Sequence, residues 1–131
     1  MTKNFNISEF QCKGNLKDCE CKMTANVKNN ISKLAEQLQI LRDYIGEPIK
    51  INSGFRCAEY NDNHVKGAKN SQHKIGKAAD IVAQSKHPLE FYNLINELID
   101  RKILYFGGLG KYNTFTHVDI RDNKVRFDKT T

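Results

Sequence analysis

The amino-acid sequence predicts an α+β fold in which helices pack on a largely antiparallel sheet. Three observations support this class. One long amphipathic segment occupies the first half, a second lies between two groups of strand-like segments, and the last third alternates short apolar runs with turns. At 131 residues the chain can form one hydrophobic core and is short for two. We therefore expect a single domain over residues 1–131.

The two helices follow from the spacing of apolar residues. The first helix has an apolar face at steps of three and four, made by Val27, Ile31, Leu34, Ala35, Leu38, Leu41 and Ile45. Thr24 is its expected N-cap and Gly46 its expected C-terminal stop. The second helix is predicted over residues 87–101, with Pro88 in its first turn.

The strands are predicted from alternating or continuous apolar runs that end at turn residues. They cover residues 48–55, 78–83, 103–112, 115–122 and 124–128. Between the first two, residues 56–76 are rich in Asn, Gly and Lys, which predicts a loop with a helical turn near 58–63. Long polar loops in small domains often carry function.

Composition and charge allow several classes of partner. The net charge is +6, and Lys and Arg are spread along the chain, which fits nucleic acid or an anionic cell-wall polymer. A nucleic-acid-binding domain would need a recognition motif or a basic stripe, so we expect no such partner. No apolar run approaches the roughly 20 residues of a membrane helix, and the start lacks a signal-peptide core. We expect a chain made in the cytoplasm that does not insert into a membrane.

The four cysteines permit three interpretations. Cys12, Cys19 and Cys21 lie close together, and Cys57 follows later. Spacings of seven and two residues match no familiar zinc-binding pattern and define no pairing. Reduced thiols that pack a loop, one disulfide, and a second metal site all stay open.

Metal-binding residue types converge on one face of the predicted sheet. Alternate side chains of a strand share a face, so His117 and Asp119 point to the same side. If the strand with Asp80 lies in this sheet, its carboxylate reaches that side, and His73 comes from the loop just before it. Two imidazoles and one carboxylate form a common catalytic zinc set that leaves one position open.

Unrelated polar side chains are the alternative, because a histidine and an aspartate seven positions apart occur together by chance in many chains. His64, in the polar loop, and His87, at a helix start, have such ordinary explanations. We expect neither of them to bind a metal.

The combined motifs resemble those of the zinc D-alanyl-D-alanine peptidases, the metallopeptidase group whose fold also includes lysostaphin-type endopeptidases and the Hedgehog signalling domain. The group's pattern SxHxxGxAxD, with a later histidine, is matched by Ser71, His73, Gly76, Ala78, Asp80 and His117. "SGFR" at 53–56 corresponds to the group's SGYR element. "FNISEF" and the long first helix resemble the start of short phage- and bacterium-encoded members, so the resemblance covers nearly the whole chain.

The resemblance implies one zinc ion per chain, with the ligands His73, Asp80 and His117. It also implies that Arg56 holds an anionic or carbonyl oxygen of the substrate, which suits the rigid donor fork of a guanidinium. A structural ion pair is the alternative for Arg56. Ser71 and Gln72 would line the site and bind substrate, or else only order the loop.

The sequence departs from the group where a proton acceptor is expected. Many members have Glu or Asp three residues before the last zinc histidine, and others have a histidine two before it; here these positions are Thr114 and Phe115. Asp119 lies on the correct strand face and is our candidate for the general base or for an orienter of a zinc ligand. A structural pairing with Arg or Lys is the alternative. Glu59 and Asp62 are reserve candidates.

The predicted function is therefore a zinc metallopeptidase that hydrolyses amide bonds at D-amino acids in peptidoglycan stem peptides or cross-links. We expect a monomeric, endolysin-like enzyme that reaches the cell wall or periplasm after release, or acts within a phage particle. The alternative is a catalytically inactive, zinc-containing module that binds the cell wall or another partner, because fold and metal do not guarantee activity.

Overall fold

The computed structural model describes residues 1–13, 23–58, 61–62 and 70–131. Within them are two α-helices, α1 (Ala25–Ile45) and α2 (Pro88–Asp100), and two short 3-10 turns, Ile7–Phe10 and Gln72–Ile75. The strands are β1 (Ile49–Ser53), β2 (Ala78–Ala83), β3 (Gly108–Lys111), β4 (Thr116–Asp119) and β5 (Val125–Asp128). The α+β class predicted from the sequence is confirmed.

The five strands form one sheet in the order β1-β2-β4-β3-β5. The pairs β1–β2, β2–β4 and β3–β4 are antiparallel, and β3–β5 is parallel. The register of the central pair places Asp80 directly opposite His117, and on the other side of β4 it is Gly110 that lies opposite His117. Residues opposite each other in a sheet share a face, so this register decides which side chains meet.

Helix α1 has the predicted caps and buries the predicted face. The Thr24 hydroxyl accepts a hydrogen bond from the Val27 amide at 3.2 Å, and Gly46 ends the helix in the left-handed conformation, at φ 68°. Six of the seven apolar face residues are buried, and Ile45 is half-buried. Over the described residues, neither helix has the length and apolar character needed to cross a membrane.

The strand predicted over 103–112 begins later, at Gly108. The amides of Ile103 and Leu104 donate to the carbonyl of Leu98, so the chain first folds back onto the end of α2. Lys102 makes that reversal with a φ of 60°. The apolar residues Leu104 and Phe106 are buried in the core by this connection, and they gave the segment its strand-like pattern.

The cysteine alternatives are resolved in part. Cys57 is disulfide-bonded, Cys12 is a free thiol, and their Sγ atoms are 3.8 Å apart. One disulfide is therefore the alternative that fits Cys57. Cys19 and Cys21 lie outside the described residues, as do Glu59, His64 and three of the six residues of the helical turn predicted near 58–63.

Candidate metal centre

Three side chains with metal-binding atoms meet on one face of the sheet. His73 comes from the 3-10 turn before β2, Asp80 from β2 and His117 from β4. One ligand atom from each lies within 4.8 Å of the others, and all three residues are buried. The structure thus brings together the three side chains that the sequence analysis selected.

The turn that carries His73 is shaped by the residues at its two ends. The Ser71 hydroxyl accepts a hydrogen bond from the His73 amide at 3.2 Å and so caps the turn. Gly76 closes it at φ 77°, where a Cβ would lie 2.8 Å from the carbonyl oxygen of Val27 in α1. A larger residue at position 76 would therefore push the turn away from α1.

Each histidine has one ring nitrogen engaged and the other directed at Asp80. His73 Nδ1 donates to the Gly54 carbonyl oxygen at 2.7 Å, so its Nε2 faces Asp80 Oδ1 at 3.2 Å. His117 Nε2 donates to Asp119 Oδ2 at 2.7 Å, so its Nδ1 faces the same Asp80 oxygen at 3.1 Å. A carbonyl or a carboxylate accepts but does not donate, so the outer nitrogen of each ring, His73 Nδ1 and His117 Nε2, carries a proton.

The second oxygen of Asp80 is held by Arg56. The guanidinium donates from Nη2 to Asp80 Oδ2 and from Nε to the Ser53 hydroxyl, both at 3.0 Å, and from Nη1 to Asn61 at 3.3 Å. Burial by itself raises the pKa of Asp80, but hydrogen bonds from His117 and His73 outweigh it and hold the pKa well below its usual range. Asp80 is therefore a carboxylate at neutral pH.

Asp119 lies behind His117, on the side away from Asp80. It is fully buried, and its two oxygens accept from Arg121 Nε and Nη2, each at 2.7 Å, in addition to His117. Burial raises the pKa of Asp119, but the hydrogen bonds from His117 and then Arg121 lower it well below its usual range. These contacts combine two of the predicted alternatives, the orientation of a ligand histidine and a pairing with arginine.

A zinc ion fits this donor set. Two imidazole nitrogens and one ionised carboxylate oxygen are the ligand types of catalytic zinc sites with three protein ligands. Each histidine also has the fixed outer partner that is usual for a metal-bound imidazole. The chemistry of the donors and their partners thus agrees with a zinc centre at this face of the sheet.

Residues 3–119 match the family model described as Peptidase M15. The chain belongs to the peptidase M15 family. A stretch of 51 residues is 47% identical to the zinc D-Ala-D-Ala carboxypeptidase of Streptomyces albus G, and it covers 38% of this chain and 20% of that protein. The family suspected from the motifs is confirmed, and a metallopeptidase is supported.

Three other residues of this M15 chain that the sequence analysis considered, Gln72, Asp62 and His87, make contacts outside the cluster. The carbonyl of Gln72 accepts from the Lys77 amide at 3.0 Å, and its side chain is half-buried. Asp62 pairs with Lys74 at 3.4 Å. His87 caps α2 by accepting from the Leu89 amide at 3.1 Å.

Sequence reasoning missed the two glycines of β3 that make room for the site. A Cβ on Gly108 would lie 2.0 Å from Asp119 Oδ2, and one on Gly110 would lie 2.2 Å from the Phe127 ring. Phe127 in turn packs against His117 with ring centroids 5.2 Å apart. The signal in the sequence was the pair of glycines two apart in a strand, which indicates a close approach on one face.

Proposed function

We propose that this chain is a zinc metallopeptidase that hydrolyses amide bonds at D-amino acids in peptidoglycan stem peptides or cross-links. The observation that carries the proposal is the buried cluster of His73, Asp80 and His117, with ligand atoms within 4.8 Å of one another. Membership of the M15 family supports peptide hydrolysis. The name of the Streptomyces albus G relative, a zinc D-Ala-D-Ala carboxypeptidase, supports the choice of substrate.

One zinc ion per chain would be held by His73 Nε2, His117 Nδ1 and Asp80. Zinc, when bound by three protein ligands, activates water for attack and polarises the scissile carbonyl. The chain's own part is to keep the ligands fixed, because a ligand that must reorient weakens both metal binding and catalysis.

Arg56 has two roles in this proposal. It holds Asp80 through Nη2, and its side chain is 11% exposed, so it is not wholly enclosed. A guanidinium has five N–H groups, of which three are engaged within the described residues. The remaining N–H groups are suited to a carboxylate or carbonyl oxygen of the substrate. Ser71 and Gln72, which directly precede His73, are proposed as further substrate contacts.

Asp119 is assigned here as the orienter of His117, not as the general base. A base must reach the water from which it takes a proton, whereas Asp119 is fully buried on the far side of the imidazole. Its two oxygens are engaged by His117 and Arg121. Asp119, held by Arg121, thus keeps Nδ1 of His117 directed at Asp80.

The basic charge fits a substrate in an anionic wall. A net charge of +6 favours encounter with a polyanionic polymer at low ionic strength. We propose that the chain acts as a monomer at the cell wall, as a released lytic enzyme or as part of a phage particle.

The test is digestion of purified peptidoglycan by the zinc-loaded chain, with the products identified by mass spectrometry. Wild type is expected to release peptide fragments, and His73→Ala is expected to release none. His87→Ala is the matched control, because that histidine is exposed and caps α2. A zinc-loaded wild type that releases no fragment would overturn the proposal. Free D-alanine would indicate a carboxypeptidase, and cleaved cross-links an endopeptidase.

A second candidate function is a module that binds the wall without cutting it. It is favoured by Thr114 and Phe115, neither of which can take a proton from water, at the positions where the resemblance leads one to expect a catalytic group. Co-sedimentation of the zinc-loaded chain with peptidoglycan that stays intact would support this module.

A further inference from the structure

Tyr112 directs its side chain to the same face of the sheet as the metal centre. In β3, Gly108 and Gly110 lie opposite Asp119 and His117, which belong to that face. Lys111 points the other way, since its Nζ lies 4.9 Å from the ring centroid of Tyr92 in α2. Successive side chains of an extended chain alternate, so Tyr112, the residue after Lys111, returns to the side of the metal centre.

Two aromatic neighbours fix the Tyr112 ring. It stacks on Phe115 with centroids 4.3 Å apart and planes at 19°, and it meets Phe127 edge-on at 6.1 Å and 86°. Phe127 itself contacts the ring of His117, at 5.2 Å. The phenol is thus one aromatic side chain away from a candidate zinc ligand, and both of its packing partners restrict its rotation.

The hydroxyl group of Tyr112 experiences the charges of the site. Burial is the main cause that raises the pKa of Tyr112; the negative charge of Asp80 raises it further, and the positive charge of Arg56 opposes this. Both charged groups belong to the candidate metal centre. The phenol therefore stays protonated at neutral pH and can donate a hydrogen bond.

We propose that Tyr112 is a catalytic residue, whose hydroxyl donates a hydrogen bond to the oxygen of the scissile amide as negative charge develops on it. This inference rests on the proposed peptidase function. A fixed donor of this kind acts without reorganisation during the reaction, and loss of one such donor typically lowers kcat by about 10²- to 10³-fold. Arg56 already donates to Asp80, Ser53 and Asn61 among the described residues. A second donor at the site would therefore add to the stabilisation of the amide oxygen.

The decisive variant is Tyr112→Phe, which keeps both ring contacts and removes one oxygen. With a defined stem peptide as substrate, we expect kcat to fall by about 100-fold or more while KM stays within about threefold. Zinc content and the unfolding temperature are expected to stay at the wild-type values. Tyr105→Phe is the matched control, because it removes the same atom from a side chain that is 66% exposed and should leave kcat unchanged.

A binding measurement provides a readout independent of turnover. A phosphinate dipeptide mimics the charge that develops on the amide oxygen, and calorimetric titration gives its affinity. Tyr112→Phe is expected to bind it about tenfold or more weakly than wild type, with the affinity for D-alanine little changed.

The outcomes separate this inference from the proposed function. If wild type releases no fragment from peptidoglycan, the peptidase function fails and the inference fails with it. If wild type is active and Tyr112→Phe keeps its kcat within about threefold, only the inference on Tyr112 is overturned. A rise in KM with unchanged kcat would also overturn it, since it would show binding of the ground state alone.

Discussion

The two histidines of the candidate zinc centre are held in different ways. His73 lies in a turn, and its outer nitrogen donates to a backbone carbonyl, that of Gly54. His117 lies in a central strand, and its outer nitrogen donates to a side chain, that of Asp119, which Arg121 holds in place. One ligand therefore depends on the path of the backbone and the other on the identity of its neighbours. Point mutations should thus affect the turn half of the site, around His73, and the strand half, around His117, unequally.

The largest effect is expected where the two halves meet, at Asp80. Its Oδ1 faces both histidines and its Oδ2 accepts from Arg56, so Asp80→Ala removes a candidate ligand and leaves the largely enclosed Arg56 guanidinium without a carboxylate partner. We expect zinc binding to be lost and the free energy of unfolding of the zinc-free chain to fall by about 3 kcal/mol. Metal analysis and urea denaturation measure the two effects. Asp43→Ala, an exposed change in α1, should alter neither, and wild-type zinc binding by Asp80→Ala would rule out this ligand.

The next effect concerns the strand half alone. Asp119→Asn keeps an oxygen that can accept from His117 but removes the charge, and we expect zinc affinity to fall by about 10- to 100-fold, as measured by competition with a chelating dye. Asp128→Asn, in β5, is the control, because its carboxylate accepts from the Thr130 amide and not from a residue of the site. Equal affinities for all three proteins would show that the strand half does not depend on Asp119.

A smaller effect is expected from crowding the same half. In Gly108→Ala the new Cβ would lie 2.0 Å from the Asp119 carboxylate, which must move and withdraw from His117. Overpacking of this kind costs about 1–3 kcal/mol of the free energy of unfolding, and zinc affinity should fall with it. Gly46→Ala serves as control: it strains a backbone at φ 68° with no atom within 4 Å, so it should lower stability but leave zinc affinity intact.

The smallest effect is a pH dependence of the zinc-free chain. The pKa of Asp119 lies below its usual value of 3.8 in the folded state, so the unfolded chain takes up a proton first as pH falls. The stability from this carboxylate is present above about pH 4 and is lost below it. Urea denaturation at a series of acidic pH values should show a steeper loss for wild type than for Asp119→Asn. If the stability of the two proteins fell in parallel with pH, Asp119 would not be a stabilising carboxylate in the folded chain.

The sequence was sufficient for the parts of the site that follow from local periodicity. The apolar face of α1 and the alternation around His117 needed only the spacing of residues along one element. The pairing of Asp80 with His117 required a register between strands 37 residues apart in the chain, and the motif resemblance supplied what periodicity could not.

Other contacts left little trace in the sequence. The partner of His73 is a backbone carbonyl, and every residue has one, so no residue type at position 54 could have indicated it. Arg56 donates from Nη2 to Asp80, which is the ion pair that the sequence left open beside a substrate contact, and only the fold shows that its partner is this buried carboxylate. The role of Asp119 likewise depended on which side of the imidazole its carboxylate would occupy.

The carbonyl of Gly54 also has a consequence for divergence among homologues. Position 54 itself is restricted, since a Cβ there would lie 2.8 Å from the Cα of Phe10. The loop path is held in addition by the bond from the Phe55 amide to the Phe10 carbonyl, at 2.8 Å, which involves no side chain. The hydrogen bond that holds His73 therefore needs no particular side chain beside it, whereas the one that holds His117 needs a carboxylate, a guanidinium and a glycine together.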